Sequence, residues 1–267
     1  MTQDGNRVLD AYAPAQIAEL VEQVGERKAG LPLLSTLVLG LLAGAFIAFG
    51  AMFFTLVVTD SALGLGPTRL LGGLAFSLGL ILVVVGGAEL FTGNNLIVMA
   101  WAERRVSTLL LLRNWGLVYL GNLIGSLGTA LAVHLSGALS IAGGATAETA
   151  AAIALAKVGL DPLEAFFRGL LCNALVCLAV WLSFAARRVS GKILAIVFPI
   201  TAFVALGFEH CVANMYLIPV AMLQGIEGLT IAGFLGNLIP VTLGNVVGGS
   251  CFVALVYWVI YLRRPAG

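Results

Sequence analysis

The sequence predicts an all-α membrane protein of six transmembrane helices, built as two inverted three-helix repeats with broken helices 2 and 5. Three observations carry this prediction. The first is composition: 60% of the 267 residues are hydrophobic, 10% are charged, and the mean hydropathy is +1.06. A soluble domain carries about 25% charged residues, so a water-facing surface is excluded. The second is a repeated motif. Gly87-Ala88-Glu89-Leu90-Phe91-Thr92-Gly93-Asn94 and Gly207-Phe208-Glu209-His210-Cys211-Val212-Ala213-Asn214 both read G-x-E-x-x-x-x-N, 120 residues apart. The third is the distribution of basic residues, which alternates from loop to loop.

In chain order, residues 1–30 read as a soluble arm, followed by a transmembrane unit over 31–267 with repeats at about 33–136 and 163–262. In the arm, Ile17, Leu20, Val21 and Val24 share one helix face, and Pro14 suits a first turn. No signal peptide is expected, because Asp4, Asp10, Glu19, Glu22 and Glu26 fall where an apolar h-region would be. The first membrane helix then serves as the targeting signal.

Apolar spans are expected at about 33–58, 71–100, 114–136, 163–185, 193–222 and 235–262, each able to cross about 30 Å of hydrocarbon. Arg7, Arg27, Lys28, Arg104, Arg105, Arg113, Arg187, Arg188, Lys192, Arg263 and Arg264 all fall on one side, leaving only Arg69, Lys157 and Arg168 on the other. The positive-inside rule places both termini in the cytoplasm, which requires an even number of spans. Spans 71–100 and 193–222 are too long: 30 helical residues reach about 45 Å. Each carries a Glu and an Asn at its middle, and the second contains Pro199 and Pro219. They read as discontinuous helices, whose open backbone is tolerated only against protein or a water-lined cavity. Gly121-Asn122-Leu123-Ile124-Gly125 in span 3 returns as Gly244-Asn245-Val246-Val247-Gly248 in span 6, 123 residues on. G-N-x-x-G sets two small residues one turn apart for close helix packing. Three spans per half force opposite topologies, and inverted repeats with paired broken helices place a substrate site near the midplane.

His210, one of two histidines, sits at the second break. A histidine can be a satisfied core residue, but an ionisable group inside a membrane more often marks an ion or proton path. Thr92 is placed to meet it if the breaks face each other. Glu89 and Glu209 are expected to accept hydrogen bonds from backbone N–H groups freed at the breaks, with Asn94, Asn214, Asn122 and Asn245 doing similar structural work. Lys157, beside Asp161 and Glu164, is either a solvated loop charge or an attractor of anions at the outer mouth. His134 reads as interfacial. Phe76, Leu80, Leu90, Phe91 and Phe203 flank the breaks, as ordinary apolar contacts or as constrictions that exclude hydrated ions. The four cysteines, Cys172, Cys177, Cys211 and Cys251, lie in apolar runs without the histidine spacing of a metal site. No metal, cofactor or nucleic-acid partner is expected.

Four stretches together resemble the formate/nitrite transporter family over residues 10–264. They are Ala88–Asn94, Leu171-Cys172-Asn173-Ala174-Leu175-Val176-Cys177-Leu178-Ala179-Val180-Trp181, Gly207-Phe208-Glu209-His210 with Ala213-Asn214-Met215, and Asn237-Leu238-Ile239-Pro240-Val241-Thr242-Leu243-Gly244-Asn245. The resemblance implies an aquaporin-like protomer in a homopentamer of the inner (cytoplasmic) membrane, each protomer with its own pore. It implies that His210 is the central pore histidine and Thr92 the hydroxyl on the loop interrupting span 2. Lys157 and Asn173 would match polar residues of the outer vestibule and pore. Phe91 with Leu80 and Leu90 would form the cytoplasmic constriction, Phe76 with Phe203 the periplasmic one. The arm resembles a helix implicated in pH-dependent gating.

The implied substrates are formate, nitrite, hydrosulfide and similar monovalent anions. Ile239-Pro240-Val241-Thr242 resembles formate channels, whereas the short linker Gln224–Ala232 is nearer the nitrite branch; formate leads. The expected function is formate transport coupled to or gated by protons through His210. Two rivals stand beside it. A water or glycerol channel would carry NPA signatures, which are absent. An intramembrane enzyme using Glu209, His210 and Cys211 would need adjacent helix positions to face one another, which they do not.

Overall fold

A computed structural model describes residues 11–263. Helix α1 (Pro14–Ala29) lays Ile17, Ala18 and Val21 into an apolar cluster with Leu96, Ile97, Met99 and Ala100, so the arm is docked beneath the first break. The first half continues with α2 (Leu33–Val58), α3 (Leu65–Gly86), a 3-10 turn (Gly93–Ile97), the short α4 (Val98–Ala102) and α5 (Thr108–Leu135). A 3-10 segment (Ala138–Gly144) and α6 (Ala145–Val158) lead into the second half. That half comprises α7 (Pro162–Ala185), α8 (Val189–Ala205), α9 (Cys211–Met222) and α10 (Ile231–Gly249), then a π-helical turn (Ser250–Leu255) and α11 (Val256–Tyr261). Each half is an unbroken helix, a broken one and another unbroken one.

Among the described residues, six helical stretches are long and apolar enough to cross a membrane. Five correspond to expected spans. The sixth, Ala138–Val158, is an alanine-rich run that falls between the expected spans at about 114–136 and 163–185. The fifth span is divided, as its length and mid-span Glu predict, into α8 and α9, of 17 and 12 residues. The second span divides likewise, between α3 and the Gly93–Ala102 segment.

Both breaks are made the same way. Gly87 and Gly207 take left-handed φ values of 82° and 72°, which only glycine adopts without strain. The next residues fold back: Ala88 N donates to Val83 O and Phe208 N to Phe203 O, at 2.9 and 3.0 Å. These are Schellman-type closures that satisfy the last carbonyls of α3 and α8.

The G-N-x-x-G pairs seat α5 on α2 and α10 on α7. A Cβ on Gly125 would collide with Leu41 O, and one on Gly248 with Leu170 O. Helices α3 and α8 pack antiparallel, and a Cβ on Gly73 would lie 2.7 Å from Thr201 O. Helix α9 is buried from Cys211 to Ala221 and packs on α2, α5, α6 and α10.

Candidate functional site

Each break is closed by a lysine, a glutamate and three asparagines. At the first, Lys28 Nζ lies 2.8 Å from Glu89 Oε1, and Asn94 Nδ2 donates to Glu89 Oε2 at 2.6 Å and to Asn114 Oδ1 at 2.9 Å. Asn114 Nδ2 returns to Lys28 O at 3.1 Å. At the second, Lys157 Nζ lies 2.8 Å from Glu209 Oε1, and Asn214 Nδ2 donates to Glu209 Oε2 at 2.6 Å and to Asn237 Oδ1 at 2.7 Å. Asn237 Nδ2 returns to Lys157 O at 2.9 Å.

The open backbone is satisfied by two of the asparagines the sequence suggested, Asn122 and Asn245, and not by the glutamates. Phe91 N donates to Asn122 Oδ1 and Cys211 N to Asn245 Oδ1, each at 2.9 Å. Glu89 N and Glu209 N donate to Leu39 O and Arg168 O. Asn122 Nδ2 donates to Gly40 O and Glu89 O, and Asn245 Nδ2 to Gly169 O and Glu209 O. A primary amide supplies an acceptor and two donors from one rigid plane, which a carboxylate cannot. The Glu89 and Glu209 carboxylates, expected to take the freed N–H groups, are occupied instead by Lys and Asn.

Between the two clusters, Thr92 Oγ1 lies 2.9 Å from His210 Nε2, with both side chains buried. His210 is also the N-cap of α9: its Nδ1 accepts from Ala213 N at 3.1 Å. An imidazole nitrogen that accepts an N–H carries no proton, so Nε2 holds the proton and donates it to Thr92 Oγ1. A second proton on the ring would have to displace the Ala213 N–H. Two residues hold Thr92 from behind: Asn173 Nδ2 and Cys177 Sγ donate to Thr92 O at 3.2 and 3.3 Å. Asn173 thus lies wholly buried behind the loop, tied also to Asn95 Oδ1 and Asn245 O.

A cavity opens toward each side of this pair. The one nearer the chain termini, about 240 Å³, is walled by Lys28, Leu80, Glu89, Leu90 and Lys192. The far one, about 80 Å³, is walled by Phe76, Lys157, Phe203, Glu209 and His210. Phe76 and Phe203 meet edge to face at 5.5 Å, and Phe203 lies over the His210 ring at 6.0 Å. Phe91, expected with Leu80 and Leu90 at a constriction, is not in the cavity wall. Its backbone is fixed by Asn122, and its ring packs edge-on against Tyr119 at 4.9 Å and Trp115 at 6.2 Å.

Sequence reasoning missed Lys28, Asn114 and Asn237. Asn114 and Asn237 are 123 residues apart, the offset of the G-N-x-x-G pair, so that signal was present. Lys28 has no such signal. It reaches Glu89 across 61 residues and Lys157 reaches Glu209 across 52, so no common offset links them.

The family model for Formate/nitrite transporter matches residues 15–259. The chain is 45% identical to the uncharacterized transporter YrhG of Bacillus subtilis (strain 168), over 94% of both chains. It is 40% identical to the formate channel FocA of Escherichia coli (strain K12), over 96% of both chains. Among solved structures, a pentameric formate channel with formate bound matches with a TM-score of 0.78 at 40% identity, covering 86% of this chain and 98% of that one. An FNT family ion channel matches with a TM-score of 0.85 at 31% identity, covering 94% and 99%. With its two inverted halves, its paired breaks and the family match over nearly its whole length, the chain belongs to the formate/nitrite transporter family, whose members are channels and transporters rather than enzymes.

Proposed function

We propose that this chain carries formate across the inner membrane, as a homopentamer in which each protomer has its own path. The observation that carries the reading is the buried Thr92–His210 pair, which joins the two breaks between two cavities. The similarity to proteins named formate channels supports the substrate. The basic loops on the side of the termini support a cytoplasmic location for both ends. Exposed apolar side chains such as Leu109, Leu135 and Phe198 would meet lipid or sister protomers.

The mechanism follows from charge. A bare anion in an apolar slit between Phe76, Phe203, Leu80 and Leu90 is costly. The positive end of α9, which begins at the buried His210, lowers that cost for an anion. A donated proton would lower it further by making the neutral acid. In the resting geometry the Thr92 hydroxyl accepts from His210 Nε2 and offers its own hydrogen to the anion. Full transfer from His210 requires the ring to release Ala213 N–H and take a proton at Nδ1, which gives transport a pH dependence.

The deciding experiment is flux of formate and of nitrite into proteoliposomes at about pH 5.5 and about pH 7.5, on either side of an ordinary histidine pKa. Formate outpacing nitrite, with acidification of the lumen, supports the reading. A preference for nitrite reassigns the substrate and keeps the path. His210→Phe with wild-type formate flux at every pH from about 5 to about 8 would sink the relay.

A further inference from the structure

The lysine of each cluster cannot be what makes its mouth positive. Lys28 is 2.8 Å from Glu89 and Lys157 is 2.8 Å from Glu209, so each pair presents a near-neutral dipole to an approaching anion. A net positive potential has to come from a cation without its own carboxylate. At the near mouth that cation is Lys192, which lines the same cavity as Lys28 and Glu89 and, among the described residues, has no ion pair. At the far mouth it is Arg69. Its Nη1 donates to Ala205 O at 3.0 Å, and a Cβ on Gly207, a residue of the far cavity wall, would lie 3.2 Å from that nitrogen. Arg168 is close by, donating to Gly207 O at 3.1 Å, but it is paired with Glu164.

Lys192 and Arg69 are matching places of the two repeats. They are 123 residues apart, and each lies near the start of the first half of a broken helix, α8 and α3. Because α3 and α8 pack antiparallel, with Arg69, Gly73 and Ser77 against Ala205, Thr201 and Val197, each cation is delivered to the mouth formed by the other repeat's break. Lys192 comes from the second half and serves the break at Glu89; Arg69 comes from the first half and serves the break at Glu209.

We propose that Lys192 and Arg69 are the anion-capturing residues of the two mouths, setting how readily a small monovalent anion is admitted from each side. This rests on the small-anion reading above. An unopposed cation at a low-dielectric funnel raises the local anion concentration and the rate of capture, and added salt screens it. Lys28 and Lys157 then act on an anion already inside, whereas Lys192 and Arg69 collect it.

The test is unidirectional formate flux in membrane vesicles of both orientations, over a range of formate and salt concentrations, for the wild type, Lys192→Gln, Arg69→Gln, Lys192→Arg and Arg69→Lys. Lys192→Gln is expected to lower sub-saturating flux from the near side about three- to tenfold. The half-saturating concentration should rise more than the maximum rate falls, and the salt dependence should flatten. Arg69→Gln should do the same from the far side only, and both charge-keeping variants should stay near wild type. Lys192→Gln with wild-type low-concentration flux and salt dependence, or with an equal loss from both sides, overturns the proposal. If the wild type itself carries neither formate nor nitrite, the functional reading fails beneath it, an outcome separable from the first because no variant is then needed.

Discussion

The two breaks share a scaffold and differ in what it holds. Glu89, Asn94, Asn114 and Asn122 repeat as Glu209, Asn214, Asn237 and Asn245 with nearly the same partners. The exceptions are Asn94 Oδ1, which accepts from Lys28 Nζ at 3.0 Å where Asn214 Oδ1 has no partner among the described residues, and Asn237 Nδ2, which also reaches Glu209 Oε2 at 3.5 Å. Inside that frame, Leu90-Phe91-Thr92 stands opposite His210-Cys211-Val212. One break gives a hydroxyl, the other an imidazole, and the hydrogen bond between them crosses from half to half. After its break the second half runs on as the twelve-residue α9, while the first has a 3-10 turn and the five-residue α4. The frame is thus a matter of backbone satisfaction, the same wherever a helix is interrupted, while the contents carry the polar chemistry and need not match.

Four groups of changes would break or sharpen this comparison. The largest effect is expected from the buried ion pairs. Glu209→Gln leaves Lys157 without a counter-charge, and losing one partner of a buried pair costs about 3–5 kcal/mol. Glu89→Gln should cost less, because the Lys28 side chain is 28% exposed against 14% for Lys157, and water can replace the lost partner. Equal losses in detergent-solubilised thermal unfolding would mean that the two clusters are energetically identical. Next, Asn122→Leu and Asn245→Leu each strand one N–H and two carbonyls, for about 3 kcal/mol. The same melts check this, and a loss confined to one half would break the symmetry of the frame.

The contents should respond in flux rather than in stability. His210→Leu copies Leu90 into the second break and is expected to slow formate flux about tenfold, about 1.4 kcal/mol of barrier, while the fold survives. Thr92→Val copies Val212 into the first and should cost about threefold, with Thr92→Ser near wild type. A stopped-flow lumen-acidification assay reads both.

The smallest effect concerns α1, which only the first break has beneath it. Glu22 is buried there, with Arg105 Nε 2.8 Å away. Burial holds its carboxyl above the ordinary range, opposed by Arg105. A raised acid pKa in the docked state means docking binds the proton. Docking should therefore tighten as pH falls through that raised value, with no further gain below the ordinary carboxylate range near about 4.3. Amide exchange of α1 against pH should show this, and Glu22→Gln should remove it.

The fold class was legible because it rests on residue kinds and intervals. Hydropathy marked five spans, the G-x-E-x-x-x-x-N repeat marked both interruptions, and G-N-x-x-G marked the helix pairs whose backbones touch. The Thr92–His210 meeting was readable as soon as two breaks in inverted halves were taken to face each other. Ala138–Val158 was not legible as a helix of membrane-spanning length, because nothing in an alanine-rich run says where a connection ends.

What the sequence by itself determined was where the chain must stop being a continuous helix. A glycine takes the left-handed turn without strain, and a polar group nearby satisfies the backbone that opens. The tertiary structure decided which polar group does so, and which cations meet which carboxylates. Lys28 reaches Glu89 only because α1 docks beneath the loop, Asn173 turns behind Thr92 because α7 passes there, and Phe91 leaves the cavity for Tyr119 on α5. Lys192 arrives at the first break because α8 packs antiparallel to α3. Hydrogen bonds and ion pairs form between atoms about 3 Å apart, and across tens of residues of sequence that closeness is created only by packing.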